Sequence, residues 1–256
     1  MAKYTSPQDV HIRSLDEKKQ AEFVDLMVPG PGIPWEDRGS VGVVGGFFKT
    51  AVSMMFGPVK MLKDLRRPET PKDATAFTYA IGIVWVLAMV IQSVFDYFTL
   101  YRNNAKIDFS ANQYMINTAL EAVAAGVGVV VLAKIVGIIF YKALSFDMTQ
   151  NFPPVLAYNV IAYSTSPSLL ALIPGSYGQI PLGALAAVVW MLMLWIAAAR
   201  GRLRVRPGGA VVGPILTFVV CCAMIVVATV ALWAVWVQAM GNASIAPVLP
   251  PPRMGR

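Results

Sequence analysis

The chain has 256 residues, 57% of them hydrophobic and only 14% charged, with a mean hydropathy of +0.61. Soluble domains carry charge at roughly a quarter of their positions, so this composition excludes an ordinary soluble globule. The formal net charge of +7 does not signal nucleic acid either, because the clearest basic cluster, Arg200, Arg202, Arg204 and Arg206, lies between two apolar segments, where it reads as a topology signal.

Residues 1–13 show no periodic pattern and read as unstructured. Ser14 and Glu17 make a capping box, and Leu15, Phe23, Val24 and Met27 share one stripe, predicting a short amphipathic helix over 15–28. The run Pro29-Gly30-Pro31-Gly32-Ile33-Pro34 ends it and reads as a semi-rigid spacer. Residues 1–33 are therefore expected to form a polar N-terminal segment with a Pro/Gly linker. No secretory signal precedes it in this sequence, so the first apolar helix is expected to direct insertion.

Residues 34–69 form the next unit. Val44, Phe47, Phe48, Ala51, Val52 and Met55 recur at helical spacing, with Lys49, Lys60, Lys63, Arg66 and Arg67 among or beyond them. An apolar face with aromatics and flanking cations predicts an amphipathic helix lying in the membrane interface, broken at Gly57-Pro58. The alternative is a helix packed on the protein's own core.

Residues 70–241 read as five transmembrane helices in an all-α polytopic bundle. Thr70-Pro71-Lys72-Asp73 supplies a helix start for a span through 77–100. Ser110 and Gln113 cap a second, apolar over about 117–141. Pro153-Pro154 opens a third over about 154–173, Pro181 a fourth over about 181–199, and Gly213-Pro214 a fifth over about 214–240. Each approaches or exceeds the ~20 residues that cross a hydrocarbon core. Residues 242–256 form a Pro-rich tail holding the formal glycosylation triplet Asn242-Ala243-Ser244. The sequence shows no internal repeat of the kind common in secondary transporters.

Charge sets the expected orientation. A cytoplasmic N-terminus places the four arginines of the 200–212 loop inside and leaves Arg102, Lys106, Arg253 and Arg256 outside. The interfacial helix then meets the anionic cytoplasmic leaflet.

Little in the sequence points to catalysis. His11 is the only histidine, the adjacent Cys221 and Cys222 sit in an apolar run, and no phosphate-binding or metal-ligand motif occurs. No enzyme activity, cofactor or metal is expected. Polar residues inside spans are the better guide, because they are costly in hydrocarbon. Gln92, Asp96 and Glu121 lie toward helix ends, whereas Lys134 lies well inside its helix, to snorkel or to pair with Asn159 or Tyr163. Ser164-Thr165-Ser166-Pro167 falls near the middle of the third span. Pro167 frees the carbonyl of Tyr163 and predicts a kink, with hydroxyls able to satisfy the freed group. Close helix packing is the alternative role for these small residues.

These residues also carry a family likeness. Pro34-Trp35-Glu36, Phe47-Phe48-Lys49-Thr50 and Phe56-Gly57-Pro58, followed by five spans, resemble bacterial members of the YIP domain family, relatives of the Ypt/Rab-interacting membrane proteins. The segment Ala162 to Leu170, with Trp190 downstream, is similar to that family's aromatic-plus-proline signature in the third span. The likeness runs from about residue 34 to 240. Met54 and Met55 replace the first two residues of the Asp-Leu-Tyr-Gly-Pro motif of eukaryotic members, a departure at the element tied to Rab-type GTPase recognition. The resemblance implies a cytosolic N-terminus, five spans and a role in membrane organisation through partners.

The expected function is thus a YIP-like scaffold or adaptor of a bacterial inner membrane. It binds lipid and a protein partner, or a second copy, through Trp35, Glu36, Phe47, Phe48, Phe56 and Pro58, with no nucleic acid involved. One alternative is a small-solute or ion transporter or channel using Lys134, Asn159, Tyr163, Ser164 and Thr165 beside the Pro167 kink. Another is an accessory subunit of a larger membrane complex.

Overall fold

The computed structural model describes residues 29–66, 68–103, 111–145, 152–173, 176–177 and 180–243. The expected helix over 15–28, the Ser110 cap and the tail from 244 onward lie outside them. The chain is all-α. Three short helices come first: α1 (Arg38–Val41), α2 (Val43–Phe56) and α3 (Pro58–Lys63). Gly42, at φ 85°, turns the chain between α1 and α2 in the left-handed region that glycine enters freely. Gly57 stops α2, and Pro58 opens α3 at a first-turn position, where its missing N–H costs nothing.

The long helices follow: α4 (Lys72–Asn103), α5 (Ala111–Ser145), α6 (Pro154–Tyr163) continued by a 3-10 helix (Ser166–Leu172), α7 (Leu182–Gly201) and α8 (Pro207–Ala243). Among the described residues, five segments are long and apolar enough to cross a membrane. These are Lys72–Thr99, Thr118–Ser145, Pro154–Leu172, Leu182–Gly201 and Pro207–Ala231. This is the architecture of an integral membrane protein. Between the third and fourth spans, β1 (Ser176–Tyr177) pairs antiparallel with β2 (Ile180–Pro181).

One boundary differs from expectation. The last helix begins at Pro207 and runs straight through Pro214. Pro207 itself supplies the first-turn proline, so Gly213-Pro214 lies inside the helix, where the Thr217 hydroxyl donates to the Gly213 carbonyl at 2.8 Å.

The contacts divide the chain after Thr217. In the first unit, α4 and α5 meet at a pair of glycines: a Cβ on Gly82 would lie 2.7 Å from the Gly126 carbonyl oxygen. Such backbone approach suits helix pairs in lipid, where packing stands in for the hydrophobic drive. The third span runs parallel to α4 at a constant offset. Thr75 shares a hydrogen bond with the Tyr158 hydroxyl at 2.9 Å, and ten residues further along both chains Trp85 Nε1 donates to Ser168 Oγ at 3.2 Å. Gly137 of α5 packs on Tyr158. Gly213 near the start of α8 packs on Leu144 near the end of α5. The second unit, from Phe218, is a single apolar helix through Ala243 whose described side chains are mostly exposed.

Candidate functional site

The segment before the first span is folded onto the bundle. Its Pro/Gly run closes back on the end of α3 instead of trailing as a spacer: Gly30 N–H donates to the Leu65 carbonyl and Gly32 N–H to the Asp64 carbonyl, both at 2.7 Å. One oxygen of Glu36 accepts from the Ile33 and Arg66 amides at 3.1 and 2.9 Å. Arg66 also pairs with Asp37 at 2.6 Å. The two ends of the segment are thereby clasped together.

Trp35 joins this clasp to the membrane helices. Its amide donates to Thr50 Oγ1 of α2 at 2.8 Å, and its Nε1 donates to the Asp73 carbonyl at the start of α4 at 2.9 Å. Arg38 lies over the indole, 4.9 Å from the ring centroid, and reaches the Asp73 carboxylate at 3.0 Å. The indole edge meets Phe47 and Phe77, with centroids 6.3 and 5.6 Å away, and Phe77 in turn meets Tyr163 at 5.2 Å. Such edge and tilted contacts are the favourable aromatic geometries. One aromatic row therefore runs from the N-terminal segment through α2 and α4 to α6.

This geometry corrects the expected contact surface. Trp35 and Phe47 are 4% and 5% exposed and belong to the core. Glu36 is a clasp residue, and Pro58 is half-buried at the start of α3. Only Phe48 and Phe56, 57% and 78% exposed, face outward. They complete an open stripe with Val44 and Val52, spaced four residues apart and hence on one helix face. The opposite face, Gly46, Phe47, Thr50, Ala51 and Met54, is buried. With ~21 Å of length for its 14 residues, α2 is too short to span a bilayer. At its far end Trp190 Nε1 donates to the Met55 carbonyl at 3.0 Å, and Phe56 meets the same indole.

The residues expected to form an intramembrane polar site separate into two places. Asn159 does not turn toward Lys134. Its Nδ2 donates to the carbonyls of Pro68 and Thr70 at 3.1 and 3.3 Å, fixing the linker that enters α4. The kink expected at Pro167 is a full break: α6 stops at Tyr163, Ser164 and Thr165 turn, and the 3-10 helix carries Pro167. Ser166 Oγ donates to the freed Tyr163 carbonyl at 2.8 Å, and Thr165 Oγ1 to the Ala162 carbonyl at 2.7 Å. Asn159 Oδ1, the Tyr163 hydroxyl and Ser164 Oγ are buried with no hydrogen-bond partner among the described residues. Orphaned buried polar atoms are rare and usually mark a water, ion or functional role.

Lys134 instead lines a cleft of about 520 Å³ formed by the start of α4 (Pro71, Thr75), by α5 (Gly137, Ile138, Tyr141) and by the start of α6 (Pro154, Val155, Tyr158). Its depth is less than the sequence implied. Gly126 faces Gly82, and Gly137 faces Tyr158, the partner of Thr75. Lys134 lies between these levels, near the second, and so is level with the first turns of α4. The α5 helix simply continues past that point to Ser145.

Arg38, Thr75 and Tyr158 carry no motif in the sequence, and Thr50 and Asp73 stand there only as part of a family motif and of a helix start, not as partners of Trp35. Thr50 shares the helical face of Phe47, Ala51 and Met54, a usable signal, whereas the pairing of Arg38 with Asp73, 35 residues apart, leaves no local trace. Among residues able to hold a metal, no group of three or more His, Cys, Asp or Glu side chains occurs among the described residues. Compared with models of protein families, with curated proteins and with solved structures, the chain matches none.

Proposed function

We propose that this chain is a non-enzymatic membrane scaffold or adaptor of YIP-like type. In this reading five spans anchor an N-terminal module that embeds in one leaflet and binds a partner protein. The observation that carries the reading is α2, apolar on both faces: Phe47, Ala51 and Met54 seal against the bundle, while Val44, Phe48, Val52 and Phe56 stand open. A short helix with one apolar face sealed, a second apolar face open and the cation Lys49 beside it suits the membrane interface. The clasp at Trp35, Glu36 and Arg66 holds it at the end of the bundle where Gly201 of the arginine-rich turn packs on Val59. That basic end favours a cytoplasmic N-terminus and an outer C-terminus in a bacterial inner membrane.

The test is purification in nanodiscs with quantitative mass spectrometry of accompanying proteins, for the native chain, Phe48→Asp and Phe56→Asp. The expected result is a stoichiometric partner or second copy retained by the native chain and lost in both variants, with thermal unfolding of each variant showing that the bundle is kept, since both side chains are largely exposed. The native chain recovered alone, or a partner indifferent to both substitutions, refutes the adaptor reading.

The second reading, transport of a small solute or ion, draws support from the orphaned atoms of Asn159, Tyr163 and Ser164 beside the break in the third span. Solute-dependent thermal stabilisation that disappears in Ser164→Ala would favour it.

A further inference from the structure

The cleft at Lys134 has a chemical character that the adaptor reading leaves unused. Its walls are mostly apolar, formed by Pro71, Ile138, Pro154 and Val155 together with the Tyr141 and Tyr158 rings. Lys134 is exposed and makes no hydrogen bond or ion pair among the described residues. The nearest carboxylate along α4, Asp73, is held by Arg38. Among the described residues nothing therefore neutralises this positive charge.

Where the cleft lies matters as much as its lining. It opens where α4 begins, beside a helix that continues further: α5 runs on to Ser145, whereas α6 starts at Pro154, level with Pro71. Because α4 and α6 both begin there while α5 continues, they leave a notch against α5 at the level where a span leaves hydrocarbon for headgroups. The ammonium has a constrained reach there. Cα–Cβ bonds tilt toward a helix N-terminus, which for α5 points into the membrane and away from this end. Lys134 is thus directed against the easy path for snorkelling, and its charge stays in the notch. The first-turn amides of α4 add positive potential at the same end.

We propose that this notch binds one anionic phospholipid, the phosphodiester seated on Lys134 with the Thr75–Tyr158 hydroxyl pair beside it. The headgroup backbone lies between Pro71 and Val155. An acyl chain follows the exposed apolar stripe that continues from Lys134 through Val131 and Val127 on α5. Charge complementarity and the volume of about 520 Å³ select a phosphate-bearing lipid of the surrounding leaflet. The inference depends on the membrane placement of the spans but not on the adaptor reading, and its test scores lipid alone.

The experiment is native mass spectrometry of the full chain in mild detergent, titrated with phosphatidylglycerol, with phosphatidylcholine, and with inorganic phosphate alone. The native chain should retain one phosphatidylglycerol in preference to phosphatidylcholine. Lys134→Gln should cut that preference about fivefold, the factor for one basic residue near an anionic surface. Lys134→Arg should keep it, and Val155→Trp should abolish retention by filling the notch. Lys142→Gln, an exposed cation at the end of the same helix, should change nothing. Equal retention of the two lipids, full retention by Lys134→Gln, or equal occupancy by inorganic phosphate each overturns the proposal, the last by showing a free-anion site. Because Lys134 is exposed, a loss of preference in Lys134→Gln is not ascribed to misfolding, and circular dichroism of each variant checks this.

Discussion

Replacing Trp35 by alanine is expected to loosen the N-terminal module from the bundle while leaving the spans in place. The indole is 4% exposed, meets Phe47 and Phe77, and donates from Nε1 to the Asp73 carbonyl. Truncating a buried Trp or Phe to Ala costs roughly 3–5 kcal/mol. The lower end applies because lipid and neighbouring side chains can partly fill the gap. About 3 kcal/mol is roughly a hundredfold in an opening equilibrium. Hydrogen exchange read by mass spectrometry over residues 30–37 measures that opening directly. Its protected amides, Gly30, Gly32 and residue 35, are bonded to Leu65, Asp64 and Thr50 by tertiary folding and not by a helix. Trp35→Ala should speed their exchange by about a hundredfold at constant helix content. Trp35→Phe, which keeps an aromatic edge and loses the Nε1 bond, should speed it only about fivefold, in line with ~1 kcal/mol for one hydrogen bond. Unchanged exchange in Trp35→Ala, or the same acceleration in both variants, refutes the view that indole packing holds the module down.

Substitutions at three further positions test the bundle itself. Gly82→Ala should destabilise the α4–α5 pair by about 1–3 kcal/mol, since its Cβ would lie 2.7 Å from the Gly126 carbonyl oxygen. Gly128→Ala, where no atom lies within 4 Å, should be neutral or slightly stabilising because alanine is the better helix former; thermal unfolding in detergent ranks the two. Ser166→Ala should cost about 1–3 kcal/mol by leaving the Tyr163 carbonyl without its donor, and Ser166→Thr should restore much of that stability in the same assay.

The spans could be read from the sequence because crossing a membrane demands some twenty apolar residues in a row, a requirement that leaves little room for ambiguity. What could not be read was which apolar surface faces what. In a soluble protein Phe47 and Phe48 would divide into core and water, and only one of them would be hydrophobic. Here both faces of α2 are apolar, and helical spacing cannot tell a bundle from lipid. Trp35 was misplaced for the same reason, since its partners Thr50, Phe77 and Asp73 lie 15 to 42 residues away. Stagger was the other hidden quantity. The depth of Lys134 was counted from its own helix end, but neighbouring helices begin at different levels, and only the glycine contacts between α4, α5 and α6 reveal that offset. The start of α8 was misread because Gly213-Pro214 looks like a helix opening, although Pro207 already provides one.

The bond from Trp190 to the Met55 carbonyl joins residues 135 apart, and this sets an order of events during synthesis. Residues 30–66 leave the ribosome before any span, yet the groups that hold them down arrive in sequence: Phe77 and Asp73 soon, Trp190 last. At about 5–20 residues per second, that interval is on the order of ten seconds. For that time α2 has an apolar face without its final partner. Its outward stripe of Val44, Phe48, Val52 and Phe56 gives the newborn segment a reason to wait on the bilayer surface until the fourth span arrives to receive it.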